Sequence, residues 1–264
     1  MSGTKLFSII TVVKDDPAGF ATSLNSLEEQ THPDFEFVVI DSSNDRAAIT
    51  QMLKNSGLNQ DISTAYQWCT PNSIYPAMNL GLESATGKFA YFLNAGDRLH
   101  APEVLAKVAR KLENRNSTWF FGPVEITDHV SNNSTTTPQW DYQKEKKNFF
   151  ARGLFPPHQG TFALTQLLRD LGGFDPKYSI SADYALFLKL SQIADPQEVG
   201  FPIAHFVTGG VSTHKWRESF EQFHRARIEI LKPQRASQMR EQLWTRWHFV
   251  KVWTYRELIS RARH

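Results

Sequence analysis

The sequence predicts an α/β protein, a mixed and mostly parallel sheet flanked by helices, with a helical C-terminal extension. Three observations carry this reading: short, continuously apolar strand-like runs alternate with helix-spaced apolar residues, the runs end abruptly in polar groups, and the pattern stops near residue 214. A domain over 1–214 and a basic, Trp-rich extension over 215–264 are therefore expected. With 264 residues, 41% of them hydrophobic, the chain can bury a substantial core.

SIITVV (8–13) is β-branched and apolar throughout, as a strand covered on both faces should be. Phe20, Leu24 and Leu27 then fall on one helical face, and FEFVVID supplies a second strand that ends in Asp41-Ser42-Ser43-Asn44-Asp45. A helix over about 46–55, a strand over 62–68 and a helix over 75–84 continue the alternation, and Gly87 turns the chain into KFAYFL. APEVLAKVARKLEN reads as a helix with Pro102 in its first turn and basic residues near its end. WFFGPVEIT reads as one strand, and the polar 128–148 stretch as a mobile flap. After PHQGTF come a short helix, the turn GGFDP, and SISADYALFLKLSQI, where Ser181 suits a helix cap and Asp183 falls in the first turn. PIAHFV is the last strand, leading into TGGVSTH.

Cys69 is the only cysteine, so neither an internal disulfide nor a cysteine-built zinc site is available. MSGTKLF lacks a secretory leader pattern and no apolar run reaches membrane-spanning length, which predicts a cytoplasmic protein. Residues 215–264 hold 12 of the 29 Lys and Arg but 5 of the 27 Asp and Glu, so the extension is +7 and the rest −5. The net acidity of the domain and the lack of a DNA- or RNA-binding motif argue against nucleic acid. Leu243, Trp247, Val250 and Leu258 form a helical stripe with cations around it. Two readings stay open for it: contact with the inner face of the plasma membrane, or packing on the protein itself or a second subunit as a homodimer.

GxGxxG, P-loop, HExxH, paired CxxC and GxSxG signatures are absent. What remains is carboxylates at strand ends, where ligands of α/β sheets bind. Asp41 and Asp97 could each be simple turn formers. Asp183 could merely stabilise its helix through the macrodipole. His158 and His214 are, taken singly, ordinary polar residues, although His214 follows a glycine pair able to deliver it to a ligand.

Taken together and in order, SIITVVKDD, FEFVVIDSSND, AMNLGLESATGKFAYFLNAGD, PHQGTF, GGFDPKYSISADYALFLKL and TGGVSTH resemble the family 2 glycosyltransferases of the GT-A fold, most closely the colanic-acid-type exopolysaccharide enzymes of bacteria. The resemblance implies an enzyme that moves a sugar from a UDP- or GDP-sugar donor to a lipid-linked saccharide acceptor with inversion, using Mg²⁺ or Mn²⁺. It assigns Thr11, Val13, Asp41, Asp45, Asn79, Asn94, Ala95 and Gly96 to the nucleotide sugar, and Asp97 and His214 to the metal. Asp183 matches the general base, and His158, Gln159 and Asp175 the acceptor side of the reaction centre. The chain departs from the family at DSSNDRAA, in place of a glycine-rich turn, and at SIYPAMNLG, where Pro76 replaces a carboxylate and Leu80 a basic residue. These departures leave a second class open, a non-catalytic binding or scaffolding subunit of a polysaccharide assembly.

Overall fold

The structure is a computed structural model that describes residues 4–113, 117–129, 131–139, 141–146, 149–151, 153–208 and 215–262. The predicted alternation is present. β1 (Phe7–Val13), α1 (Pro17–Glu28), β2 (Phe35–Asp41), α2 (Arg46–Lys54), β3 (Thr64–Trp68), α3 (Ile74–Ser84) and β4 (Phe89–Phe92) lead to a short β5 (Arg98–Leu99) and α4 (Val104–Glu113). β1 pairs in parallel with both β2 and β4, and β2 with β3. All residues of β1 and β2 are buried. Because side chains alternate across a strand, Ile10, Val12, Val38 and Ile40 enter one core while Ile9, Phe37 and Val39 enter the other, on the opposite face.

WFFGPVEIT is two strands rather than one. β6 (Trp119–Phe121) belongs to the main sheet and β7 (Val124–Thr127) to a second one, the chain changing sheets at Gly122-Pro123. A side chain at 122 would lie within 2.7 Å of the Phe201 carbonyl, so the crossing needs glycine. The predicted flap carries structure as well: β8 (Ser134–Thr136) pairs antiparallel with β7, and α5 spans Tyr142–Glu145. β9 (Thr161–Leu164) lies antiparallel between β4 and β6 and runs into α6 (Thr165–Asp170). α7 (Ala182–Ser191), β10 (Gln197–Glu198) and β11 (Ala204–Val207) follow, and the main sheet has the order β10-β6-β9-β4-β1-β2-β3.

The extension is helical: α8 (Trp216–Leu231) and α9 (Arg235–Ala262). α9 is fastened to α8 by Arg227, which is buried, pairs with Glu241 at 2.8 Å and donates to Thr245 Oγ1 at 2.8 Å. The same guanidinium donates to the Tyr184 hydroxyl at 3.0 Å, tying both helices to α7.

Candidate active site

The carboxyl ends of β1, β2 and β4 form one edge, and β9 starts at the same edge because it runs antiparallel to β4. Beyond β4 the chain turns sharply. Asp97 N donates to the Asn94 carbonyl at 2.9 Å, Ala95 N to Val12 O at 3.1 Å and Gly96 N to Gly19 O at 3.0 Å. Gly96 sits at φ +94° with open space where a side chain would be, a conformation that suits glycine. Asn94 and Asp97 are both about nine-tenths buried. Burial pushes the Asp97 carboxyl up to about 7, with His158 opposing the shift electrostatically.

His158 opens the short helical turn that leads into β9. Its Nε2 lies 3.2 Å from Asn94 Nδ2 and its Nδ1 3.6 Å from Asp183 Oδ2. An amide nitrogen can only donate, so this pattern assigns Nε2 as acceptor and places the ring proton on Nδ1, facing Asp183. Asn94 Oδ1 is left buried without a donor. Asp183 lies in the first turn of α7, as its position after Ser181 predicts, and its Oδ1 accepts from Tyr184 N at 2.9 Å and from the Tyr75 hydroxyl at 3.2 Å. Ser181 occupies the capping position, but its hydroxyl makes no capping bond.

Tyr75 escaped the sequence reading although it stands inside the quoted SIYPAMN segment. Its hydroxyl also donates to Ile180 O at 2.8 Å, its ring stacks on Phe174, and burial, then the charge of Asp183, hold its pKa far above the ordinary value. The only legible signal was an aromatic residue in the first turn of a helix that faces the sheet edge. Pro76 follows it in that first turn, where no helical partner for its missing N–H is required.

The nucleotide-side residues have diverse tasks. Asp41 is fully buried at the end of β2, accepting from Ser43 N at 2.7 Å and the Tyr66 hydroxyl at 2.8 Å. Burial and then this carboxylate push Tyr66 up to about 12. Asp45 caps α2 through Ala47 N at 2.9 Å, and the Arg46 guanidinium lies 3.7 Å above the Trp68 ring. Asp15, at φ +51°, clasps the neighbouring loop by accepting from Asn44 N at 2.8 Å. Thr11 lies beneath the edge, its hydroxyl donated to Leu93 O at 2.6 Å, and the Val13 carbonyl receives Ser42 N at 2.8 Å.

Asn79 is spent on the fold: its amide donates to Phe174 O and accepts from Phe174 N, both at 2.8 Å, fixing the turn in which Gly173 adopts φ +62°. Asp175 is drawn toward α8. Burial works against its ionisation, but hydrogen bonds from Lys177 hold the carboxyl below its usual range, and Lys177 also pairs with Glu229 at 3.0 Å. Gln159 offers its carbonyl to the Tyr91 hydroxyl at 2.6 Å. His214 lies outside the described residues.

The site thus runs as a row from the Asp97 turn through Asn94 and His158 to Asp183. The model of the family described as Glycosyl transferase family 2 matches residues 8–169. The chain belongs to that family. This glycosyltransferase is 26% identical over 230 residues, 81% of its own length and 80% of the relative's, to an uncharacterized glycosyltransferase of Mycobacterium tuberculosis. It is 29% identical over 182 residues to a PGL/p-HBAD biosynthesis glycosyltransferase of Mycobacterium bovis, covering 68% and 67% of the two chains. Its fold is that of Staphylococcus aureus TarS 1–349 in complex with UDP-GlcNAc (TM-score 0.64, 17% identity, 91% of this chain and 70% of that one). It likewise resembles the mannosyltransferase PcManGT of Pyrobaculum calidifontis in complex with GDP-Man and Mn²⁺ (TM-score 0.59, 15% identity, 92% and 70%). The glycosyltransferase spans 42% of the longer TarS chain.

The residues present suit a hard divalent cation. Asp97 is a carboxylate that burial disfavours and a positive charge would restore, and Asn94 Oδ1 is a buried oxygen with no donor. No cluster of three or more His, Cys, Asp or Glu side chains surrounds them among the described residues. Such an ion would therefore keep water and ligand oxygens in most of its positions, as Mg²⁺ and Mn²⁺ do beside a diphosphate.

Proposed function

We propose that the protein transfers a sugar, with inversion, from a UDP- or GDP-sugar to a hydroxyl of a lipid-linked saccharide in bacterial surface or exopolysaccharide synthesis. The observation that carries the mechanism is the row linking Asp97 to Asp183 through Asn94 and His158. Nucleotide-sugar complexes of proteins with this fold, and the motif blocks that resemble colanic-acid-type enzymes, support the donor and pathway assignments.

In this reading Asp41 and the loops after β1 and β2 receive the nucleotide, while the open backbone at Gly96 receives the diphosphate. Asp97 and Asn94 would hold Mg²⁺ or Mn²⁺, which supplies positive charge against the leaving diphosphate. Asp183 is the base. Its Oδ1 is engaged by Tyr75 and Tyr184, so Oδ2 takes the acceptor's hydroxyl proton. The acceptor oxygen bonds to the anomeric carbon as the sugar–phosphate bond breaks, and the nucleoside diphosphate leaves with the bonding pair. His158 Nδ1 lies 3.6 Å from Oδ2, beside the oxygen that would receive the proton.

The test is nucleoside diphosphate release with a panel of sugar nucleotides, Mn²⁺ and lipid-linked saccharide. Asp183→Asn should lower kcat by about 10²–10⁴-fold and leave calorimetric UDP or GDP binding unchanged. Full turnover in this variant would sink the mechanism.

A further inference from the structure

The two faces of α9 have different fates. One is docked: Glu241 and Thr245 bind Arg227, His224 Nδ1 lies 3.1 Å from Thr245 Oγ1, and Phe249 packs against Trp216 with ring centroids 5.3 Å apart. The other carries Met239, Leu243, Trp247, Val250 and Trp253, which are 44–68% exposed and recur every three or four residues.

Exposed cations flank it. On a helical projection Arg235 and Arg246 fall to one side of the stripe and Lys251 to the other, with Lys251 Nζ 5.5 Å from the Trp247 ring centroid. The α9 sequence contains six basic and two acidic residues, and one of the acids, Glu241, is turned inward to Arg227. Long cationic side chains beside a Trp-containing apolar stripe can keep their charges at headgroup level while the apolar tips enter the acyl boundary. No helix among the described residues is long and apolar enough to cross a membrane. Pairing the stripe with a second copy would bring rows of like charge together, whereas an anionic surface neutralises them.

We propose that this outer face of α9 seats the protein on an anionic phospholipid bilayer, the helix lying in the plane of the interface. The inference is independent of the catalytic reading, since it uses none of the residues at the sheet edge.

Sedimentation of the full chain with vesicles of phosphatidylcholine, with and without phosphatidylglycerol, tests it. The protein should sediment with the anionic vesicles only and be released by high salt. Arg246→Gln with Lys251→Gln should lower partitioning by about 30-fold at low salt. Leu243→Glu with Trp247→Glu should abolish it while circular dichroism stays unchanged. Equal sedimentation with neutral vesicles, no sedimentation, or full binding by the Glu variant would overturn the proposal. So would light scattering that finds a dimer which the Glu variant splits, because the stripe would then belong to a second copy. The assay contains no donor sugar, so its failure leaves the transferase reading standing.

Discussion

Asp97→Asn should make the metal-free protein more stable, and only above mildly acidic pH. Burial raises the Asp97 carboxyl from 3.8 to about 7, so the folded chain holds this proton more tightly than the unfolded one does. Its contribution to stability is greatest below the unfolded value, declines as pH rises through the folded value, and is lost above it. At 1.36 kcal/mol per unit, the ionised carboxylate costs about 4 kcal/mol at slightly alkaline pH. Asn keeps the shape and removes the charge. For a chain of this size the variant's Tm should exceed that of the parent by roughly 10 °C near pH 8, and the two should converge near pH 4. Scanning calorimetry in chelator across that range measures the difference. If the variant is no more stable near pH 8, or if the gap persists unchanged near pH 4, Asp97 is not the desolvated group inferred here. With Mn²⁺ and UDP the order should reverse, because the parent then gains binding energy that the variant lacks.

Asn79→Ala should cost about 1–3 kcal/mol, because Phe174 loses both main-chain partners. Thermal unfolding reads that loss, and unchanged stability would return Asn79 to the ligand side. Glu241→Ala should cost about 3–5 kcal/mol by leaving Arg227 buried without its carboxylate. Proteolysis should then cut within α9 first, whereas replacing the ion pair with Arg227→Met and Glu241→Leu should restore much of the stability.

Sequence pattern alone established the α/β alternation, the strand ends at Asp41 and before Asp97, and the helix that begins ahead of Asp183. Periodicity and polar punctuation are local properties, and local properties survive without a partner. WFFGPVEIT misled because strand-forming residues on each side of Gly-Pro look the same whether the chain continues in one sheet or changes to another. Gly122 reveals the change only once the Phe201 carbonyl is beside it. Asn79 reads as a polar residue facing a ligand, yet its partner is the backbone of Phe174, ninety-five positions away.

The same limit applied to the chemistry. Asp97, His158 and Asp183 stood in the sequence as separate candidates, each with an ordinary structural explanation, and Asn94 entered only through the family resemblance. The antiparallel return of β9 brings His158 to the edge that β4 delivers, and α3 lays Tyr75 against Asp183. The residue types, their order and the charge of the tail belong to the sequence. Which carboxylate is desolvated, which oxygen of Asp183 meets the Tyr75 hydroxyl, and which face of α9 stays exposed were decided by packing between distant segments, because burial and hydrogen-bond partners exist only after the chain has closed on itself.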